Sequence, residues 1–370
     1  MKICIITTRE ISTSARVFYT QANSLAKKYD LTLIAKNKTG IKQKNMKIIS
    51  LKNTKSRFAR FFLLSFKAFN SARKENPKII HFHEPEFIPY ALLLKLITKA
   101  KIIYDCHENY KEKLQNKEWI SFFLRNTVSY IFDKFEKQII KFFDYVLVAD
   151  KINYNNFKKY KREIGFIGNF PPILKERKKQ LLSEKIAKCI YVGSLSKERG
   201  LFKIAEAIKY VQNNAKLVLL GNFEYEKDKK IILTNKKIVY LGEKNWIETQ
   251  KEITKCDIGL NLLQDVPAYI NSGENTTKVF EYMANSIPVI SSNFPKLKEI
   301  IEKNKCGLCI NPENQEEIAK TISFLISNRE KARQMGKNGR KAVLKKYNWI
   351  NEEKNLLNVY KNLENKQNAI

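Results

Sequence analysis

The chain has 370 residues, with 69 Lys plus Arg against 37 Asp plus Glu and a formal net charge of +32. A length beyond what one hydrophobic core organises predicts two domains, and a hydrophobic content of 44% excludes a disordered basic tail. No apolar stretch approaches the ~20 residues of a membrane span, and six Cys without an even spacing pattern predict reduced thiols rather than a disulfide scaffold.

The opening MKICIITTRE carries a short apolar run that meets Arg9 and Glu10, shorter than the apolar core of an export signal, so a cytoplasmic location is expected. Short apolar runs then predict strands at 3–6, 31–35, 47–51, 79–82, 102–104 and 145–148. Helical spacing fills the intervals at 15–28, 58–73, 87–98 and 119–143. The alternation stops at GFIGNFPP, Gly165 to Pro172, where glycines and a proline pair break any element. It restarts with strands at 189–192, 217–220, 238–241, 258–262, 288–291 and 308–310, the first followed by an apolar stripe of Leu201, Ile204, Ala205, Ile208 and Val211. Strand and helix in alternation predict parallel sheets covered on both faces. The expected fold is α/β, two doubly wound, Rossmann-like domains, 1–168 and 169–348. A last helix, 349–370, is expected to pack back towards the first domain. Ligands of such sheets bind beyond the carboxyl ends of the strands, and with two of them facing each other the cleft is the expected site.

The charge is unevenly placed. Lys outnumbers Arg 57 to 12, the bias of an AT-rich genome in which Lys drifts onto solvated faces. Yet no Asp or Glu occurs between Asp30 and Glu75, a stretch with twelve basic residues. At 100° per residue, Phe58, Phe61, Phe62, Phe66 and Phe69 share one helix face and Arg57, Arg60, Lys67 and Lys74 lie opposite. This predicts a Phe face packed on the sheet beneath a solvated basic face. The alternative use is attachment to an anionic membrane surface, joined by the aromatic and basic stretch 117–143.

In GENTTKVFEYMANSIPVISS, residues 273–292, a polar loop opens a helix near Thr276 and Thr277. Its unpaired N–H groups and Lys278 in the first turn make an anion site, with Glu281 on the same face to accept from sugar hydroxyls. An ordinary capped helix with a surface Lys and Glu fits the same residues. YVGSLSKERGL, residues 191–201, places Gly193, Gly200 and Arg199 at a strand's carboxyl end. The two loops together would bring two cations to one diphosphate.

YVGSLSKERGL followed by TTKVFEYMANSIPVISSNFP resembles the donor half of the retaining glycosyltransferases of family 4, which have the GT-B fold. In the first half, TSARVFYTQANSLAKKYDLTLIAK, HFHEPEFIPYALLLK and IIYDCHENY resemble a bacterial, surface-glycan branch of that family. The resemblance implies transfer of a sugar, with retention, from a nucleotide sugar to a glycan or lipid-linked acceptor in polysaccharide, lipopolysaccharide or glycoconjugate assembly. No metal or other cofactor is implied, and the place of work is the cytoplasm, including the inner face of its membrane. Lys278 and Arg199 match the diphosphate-binding pair and Glu281 the ribose carboxylate. Gly193, Ser194, Gly221, Gly242, Glu274, Asn275 and Thr277 complete the expected nucleotide-sugar contacts. His107 matches the histidine at the donor sugar, and Arg16, His83, Glu84, Asp105 and Glu108 would meet the acceptor. Ser194 stands where the family often has Arg, so one phosphate contact is missing or comes from Arg9. Gly273 stands where it often has a first Glu, so Glu274 or Asn275 would reach the donor sugar through a shifted loop.

Other chemistry has weaker support. His81 and His83 alternate onto one strand face, but no third ligand has metal spacing beside Glu84 or Glu86. Cys306 and Cys309 form CGLC without a second pair, which fits a core strand. A basic nucleic-acid-binding protein would need mixed aromatic and basic residues on one platform, and here the two faces are opposed. A nucleotide-sugar epimerase of the same fold remains the alternative within enzymes.

Overall fold

The computed structural model describes residues 1–11, 14–36, 43–52, 54, 56, 59–115, 117, 120–173, 186–212, 214–271, 273–274 and 276–368. The chain divides into two compact units, Met1–Asn169 with Trp349–Ile370, and Phe170–Asn348.

The first unit is built on a parallel sheet of seven strands: β1 (Lys2–Ile11), β2 (Asp30–Lys36), β3 (Met46–Leu51), β4 (Ile79–Phe82), β5 (Lys101–Cys106), β6 (Tyr145–Val148) and β7 (Ile164–Phe166), in the order β3-β2-β1-β4-β5-β6-β7. The strands are apolar on both faces because both are covered. Cys4, Ile6, Ile80, Phe82, Ile102 and Tyr104 point to one side, under helices Ser65–Glu75 and Ile88–Thr98. Ile3, Ile5, Ile79 and Ile103 point to the other, under the helical segment Ala15–Ala22 and the helix Trp349–Asn368. The C-terminal helix is anchored there by Trp349, whose Nε1 donates to Ser24 Oγ at 2.8 Å.

The second unit carries a six-stranded parallel sheet, β8 (Ala187–Val192), β9 (Ala215–Leu220), β10 (Ile238–Tyr240), β11 (Ile258–Asn261), β12 (Val289–Ser292) and β13 (Gly307–Ile310), in the order β10-β9-β8-β11-β12-β13. The expected stripe of Leu201, Ile204, Ala205, Ile208 and Val211 is buried against it. In both sheets the strand order reverses once, at β1/β4 and at β8/β11, which opens a crevice at the carboxyl ends of those strands.

Two expectations need correction. Residues from Gly165 do not stop all structure: β7 is a three-residue edge strand paired with β6. Gly165 belongs there because a Cβ would sit 3.1 Å from the Tyr145 ring. The Phe face of 58–73 is not packed on the sheet. Phe61, Phe62 and Phe66 are exposed, and the buried stripe is Leu64, Ser65, Ala68, Phe69 and Ala72. Residues Ala59–Leu64 form wide i→i+5 turns, which shift the phase that 100° per residue assumes. Arg57 and Phe58 lie outside the described residues, as does Trp119 of the expected helix 119–143; the helix itself runs Arg125–Ile139.

Candidate functional site

In the second unit the carboxyl ends of three adjacent strands are finished by glycines with positive φ: Gly193 after β8, Gly221 after β9 and Gly242 after β10. They are laced together, Gly193 N donating to Leu220 O and Gly221 N to Gly242 O, both at 2.9 Å. A Cβ on Gly221 would lie 1.9 Å from the Gly193 carbonyl oxygen, so this close backbone approach excludes any side chain. A Cβ on Gly193 would instead meet the two cationic side chains at contact distance, 3.6 Å from Lys278 Nζ and 3.8 Å from an Arg199 nitrogen. Two cations therefore converge above Gly193.

Arg199 ends the short turn Lys197–Arg199, and its guanidinium lies 5.6 Å from the Tyr269 ring centre. Lys278 is in the first turn of the helix Thr277–Ala284, with Nζ 3.9 Å above the Tyr191 ring. That Nζ is buried and has no hydrogen-bond partner among the described residues. Burial, then Arg199, holds its ammonium well below the usual lysine range. The helix sits close to the sheet because Gly259 leaves room for the Tyr282 ring, 2.3 Å from where a Cβ would be. The Tyr282 hydroxyl accepts from Val192 N at 3.0 Å and donates to Leu260 O at 3.4 Å. Glu281, one turn beyond Lys278, is buried and accepts from Trp246 Nε1 at 2.8 Å. Burial pushes its carboxyl up to about 7.

The other expected nucleotide-sugar residues stand around this cradle. Ser194 is exposed, its carbonyl accepting from the Tyr191 hydroxyl at 3.0 Å. Thr277 begins the helix, and Glu274 lies in the turn before it, where Thr276 N donates to Gly273 O at 2.9 Å. Asn275 lies outside the described residues.

In the first unit the expected acceptor residues meet at the carboxyl ends of β1, β4 and β5. The fully buried Asp105 of β5 accepts from one terminal nitrogen of Arg16, which lies 2.7 and 2.9 Å from the two carboxylate oxygens, and from Gln21 at 2.7 Å. Arg16 also donates to the Ile167 carbonyl at 3.2 Å and to Asn169. Burial alone would raise the Asp105 carboxyl, but Arg16 and the neighbouring imidazoles hold it well below the usual range. His81 Nε2 and His83 Nδ1 each lie 3.5 Å from it, and His81 Nδ1 is 2.8 Å from the Tyr360 hydroxyl of the C-terminal helix. His81, His83 and Asp105 thus form a cluster of potential metal ligands that sequence spacing hid, because the third comes from the next strand. Arg16 occupies the carboxylate a cation would need, so the residues present fit an internal ion pair better than a metal.

Glu84 is buried at the β1/β4 crevice, accepting from Thr7 Oγ1 at 2.6 Å and Thr8 N at 3.0 Å. Burial, then Glu86, pushes its carboxyl up to about 8. His107 follows β5 with its ring 5.9 Å from that of His83, and its Nδ1 has no partner among the described residues. Burial lowers its imidazole below the ordinary value, so it is neutral at pH 7. Glu108 pairs with Arg9 at 3.0 Å and with Lys113; burial would raise its carboxyl, but Lys113 and Arg9 draw it down. Arg9 is thereby engaged within its own unit.

Sequence reasoning missed Trp246, Tyr191, Gln21 and Thr7. Only Trp246 left a signal: it follows Asn245, whose capping box with Glu248 opens the helix Trp246–Ile253 just beyond β10.

Residues 172–342 match the family described as glycosyl transferases group 1, and residues 14–169 match glycosyltransferase family 4. An uncharacterized glycosyltransferase of Methanocaldococcus jannaschii, MJ1607, is 29% identical over 179 residues, 46% of this chain and 44% of that one. The chain spans less than half the length of the curated relatives it matches. Among solved structures, sucrose-phosphate synthase from Thermosynechococcus elongatus has a TM-score of 0.74 at 17% identity, covering 99% of this chain and 100% of that one. Anabaena Alr3699/HepE in complex with UDP-glucose gives 0.70 at 14%, covering 98% and 100%. Likenesses at such identities show the fold.

Proposed function

We propose, from the chain's membership of the glycosyltransferases of the GT4, GT-B type, that it moves a sugar from a nucleoside-diphosphate sugar to a hydroxyl of a glycan or lipid-linked acceptor, with retention at the anomeric carbon. The observation that carries this reading is the buried, unpartnered Lys278 ammonium beside Arg199 above Gly193. A buried cation is unfavourable without an anion, and here one is held ready at a helix N-terminus beside a glycine, where no side chain of residue 193 stands in the way. The nucleotide of the solved HepE complex supports the ligand class.

Charge grows on the departing diphosphate as the glycosidic bond breaks. Lys278, Arg199 and the helix N–H groups stabilise that charge more in the transition state than in the ground state. Glu281, oriented by Trp246, accepts from the ribose hydroxyls. The acceptor is taken by the first unit at the crevice of Glu84 and Glu108, which the buried Arg16–Asp105 pair supports, and neutral His107 orients the donor sugar. A leaving phosphate oxygen receives the acceptor proton. With cations supplied by the protein, activity is expected to be unchanged by EDTA.

The test is a panel of UDP, GDP and ADP sugars with glycan and lipid-linked acceptors, products read by mass spectrometry and anomeric configuration by NMR. A glycosylated acceptor with retained configuration is the expected result. An isomerised sugar nucleotide formed without acceptor would contradict it and favour an epimerase.

Glu281 gives a pH prediction. Its folded value, about 7, lies above the ordinary 4.5, so the stability it contributes is fully present below that ordinary value and is lost as pH rises to about 7. Glu281→Gln is therefore expected to melt several degrees higher than the parent at pH 8, while donor affinity falls about tenfold or more. Parent donor affinity should strengthen as pH rises through about 7. Calorimetry at pH 6 and pH 8 checks all three.

A further inference from the structure

Among the described residues 25 large apolar side chains are exposed, and fifteen of them fall in three stretches of the first unit, 61–66, 93–97 and 122–142. Seven of the eight exposed phenylalanines are there. Scattered exposed hydrophobics are ordinary, but a concentration of this kind marks an interaction surface.

The three stretches are neighbours. Leu64, Ala68, Ala91, Leu94, Ile140 and Phe143 bury the inner sides of their helices in one cluster against one face of the sheet. The Tyr90 ring packs 5.8 Å from that of Phe69, and its hydroxyl lies 3.5 Å from the Phe62 carbonyl. Lys95 Nζ donates to the Phe142 carbonyl at 2.8 Å. The outer sides of this helix layer therefore form one continuous surface.

Charge on that surface is sorted by sign. The acids of the helix Arg125–Ile139, Asp133 and Glu136, are turned inward, Glu136 accepting from the Tyr104 hydroxyl at 2.6 Å. Lys134 and Lys141 are exposed. In the helix Ser65–Glu75, Lys67, Arg73 and Lys74 are exposed, while Glu75 is held by Lys2 at 2.8 Å and Lys47 at 2.5 Å. Among the described residues of these three stretches no acid is exposed; what faces outward is aromatic, aliphatic, cationic or neutral polar.

We propose that this helix layer is a docking face for the headgroup and upper acyl region of an anionic phospholipid bilayer. Phe122 and Phe123, 74% and 87% exposed, insert, and the lysines and arginines meet the lipid phosphates. A second copy of the chain is disfavoured because it would bring two cationic faces together, and protein interface cores are depleted of lysine. Among the described residues no helix is long and apolar enough to cross a membrane, and the docking proposed is interfacial. The lipid-linked acceptor of the proposed function gives the docking its use; the binding itself needs no catalysis.

The test spins the full chain with vesicles of phosphatidylcholine alone or mixed with phosphatidylglycerol, without donor or acceptor, so its outcome is separate from that of the transfer assay. Binding to the anionic vesicles is expected at low salt and falls as salt rises. The double variants Phe122→Ser with Phe123→Ser and Lys134→Glu with Lys141→Glu should each weaken it by about tenfold or more. Thermal melting is the control; these side chains are exposed, so it should not move. The proposal is overturned by absence of binding at low salt, by equal binding of folded variants, or by a dimer in sedimentation equilibrium that the Phe variant abolishes.

Discussion

Replacing Lys278 with alanine is expected to lower kcat/KM for transfer by about 100- to 1,000-fold, the usual effect of deleting one preorganised charge at a developing anion. The effect is large because the ammonium is buried, where its interaction with a phosphate is little screened. The same variant should remain folded. Lys278 has no hydrogen-bond partner to lose among the described residues, and its folded value is held below the unfolded 10.5. Below 10.5 the unfolded chain holds this proton more tightly than the folded one, so Lys278 opposes folding at neutral pH. Lys278→Met should accordingly melt no lower than the parent at pH 7 while losing activity. Steady-state kinetics beside a melting curve reads both, and near-normal kcat/KM in either variant would remove the donor-site assignment.

Arg16→Ala is expected to destabilise the chain by about 3–5 kcal/mol, because it strands the fully buried Asp105 carboxylate. For a unit of this size that is about 10 °C in Tm. Gln21 still donates to one oxygen, which places the loss below that of a wholly orphaned charge. Adding Asp105→Asn to Arg16→Met should recover more than half of it, since the unpaired charge is gone. The pH dependence has a defined sign. Asp105 is held below its ordinary 3.8, so its contribution is present above that value and lost as pH falls through the folded one. His83 is lowered by burial, so the unfolded state takes up more protons below about 6.5 and parent stability declines from there downward. Urea unfolding of parent, single and double variants at pH 5 and pH 7 checks the scheme, and a loss under about 1 kcal/mol for Arg16→Ala would contradict it.

Much of this molecule is legible in the sequence because the forces that shape it are local or periodic. Twelve strands are visible as apolar runs, since a parallel sheet covered on both faces favours near-continuous apolar sequence. The pairing of Lys278 and Glu281 on one face needs only helical spacing. What the sequence hides is set by tertiary packing. Asp105 joins Arg16, 89 residues away, only after β4 and β5 pair and the Ala15–Ala22 segment covers that face. Trp246 reaches Glu281 across 35 residues from another helix. β7 escapes notice because an edge strand needs only three residues and one partner. The exposure of Phe61 and Phe62 is hidden from periodicity because Ala59–Leu64 form wide turns that depart from 100° per residue, and no residue in FFLLSF announces them.

The central claim, that the Phe170–Asn348 unit holds a nucleoside-diphosphate sugar through Lys278, Arg199 and Glu281, is tested most directly by isothermal titration of the full chain with UDP-, GDP- and ADP-glucose. Saturable binding of at least one at pH 8, abolished in Lys278→Ala and weakened in Glu281→Gln, is the predicted result. Binding of none of the three, or equal binding by Lys278→Ala, would contradict it.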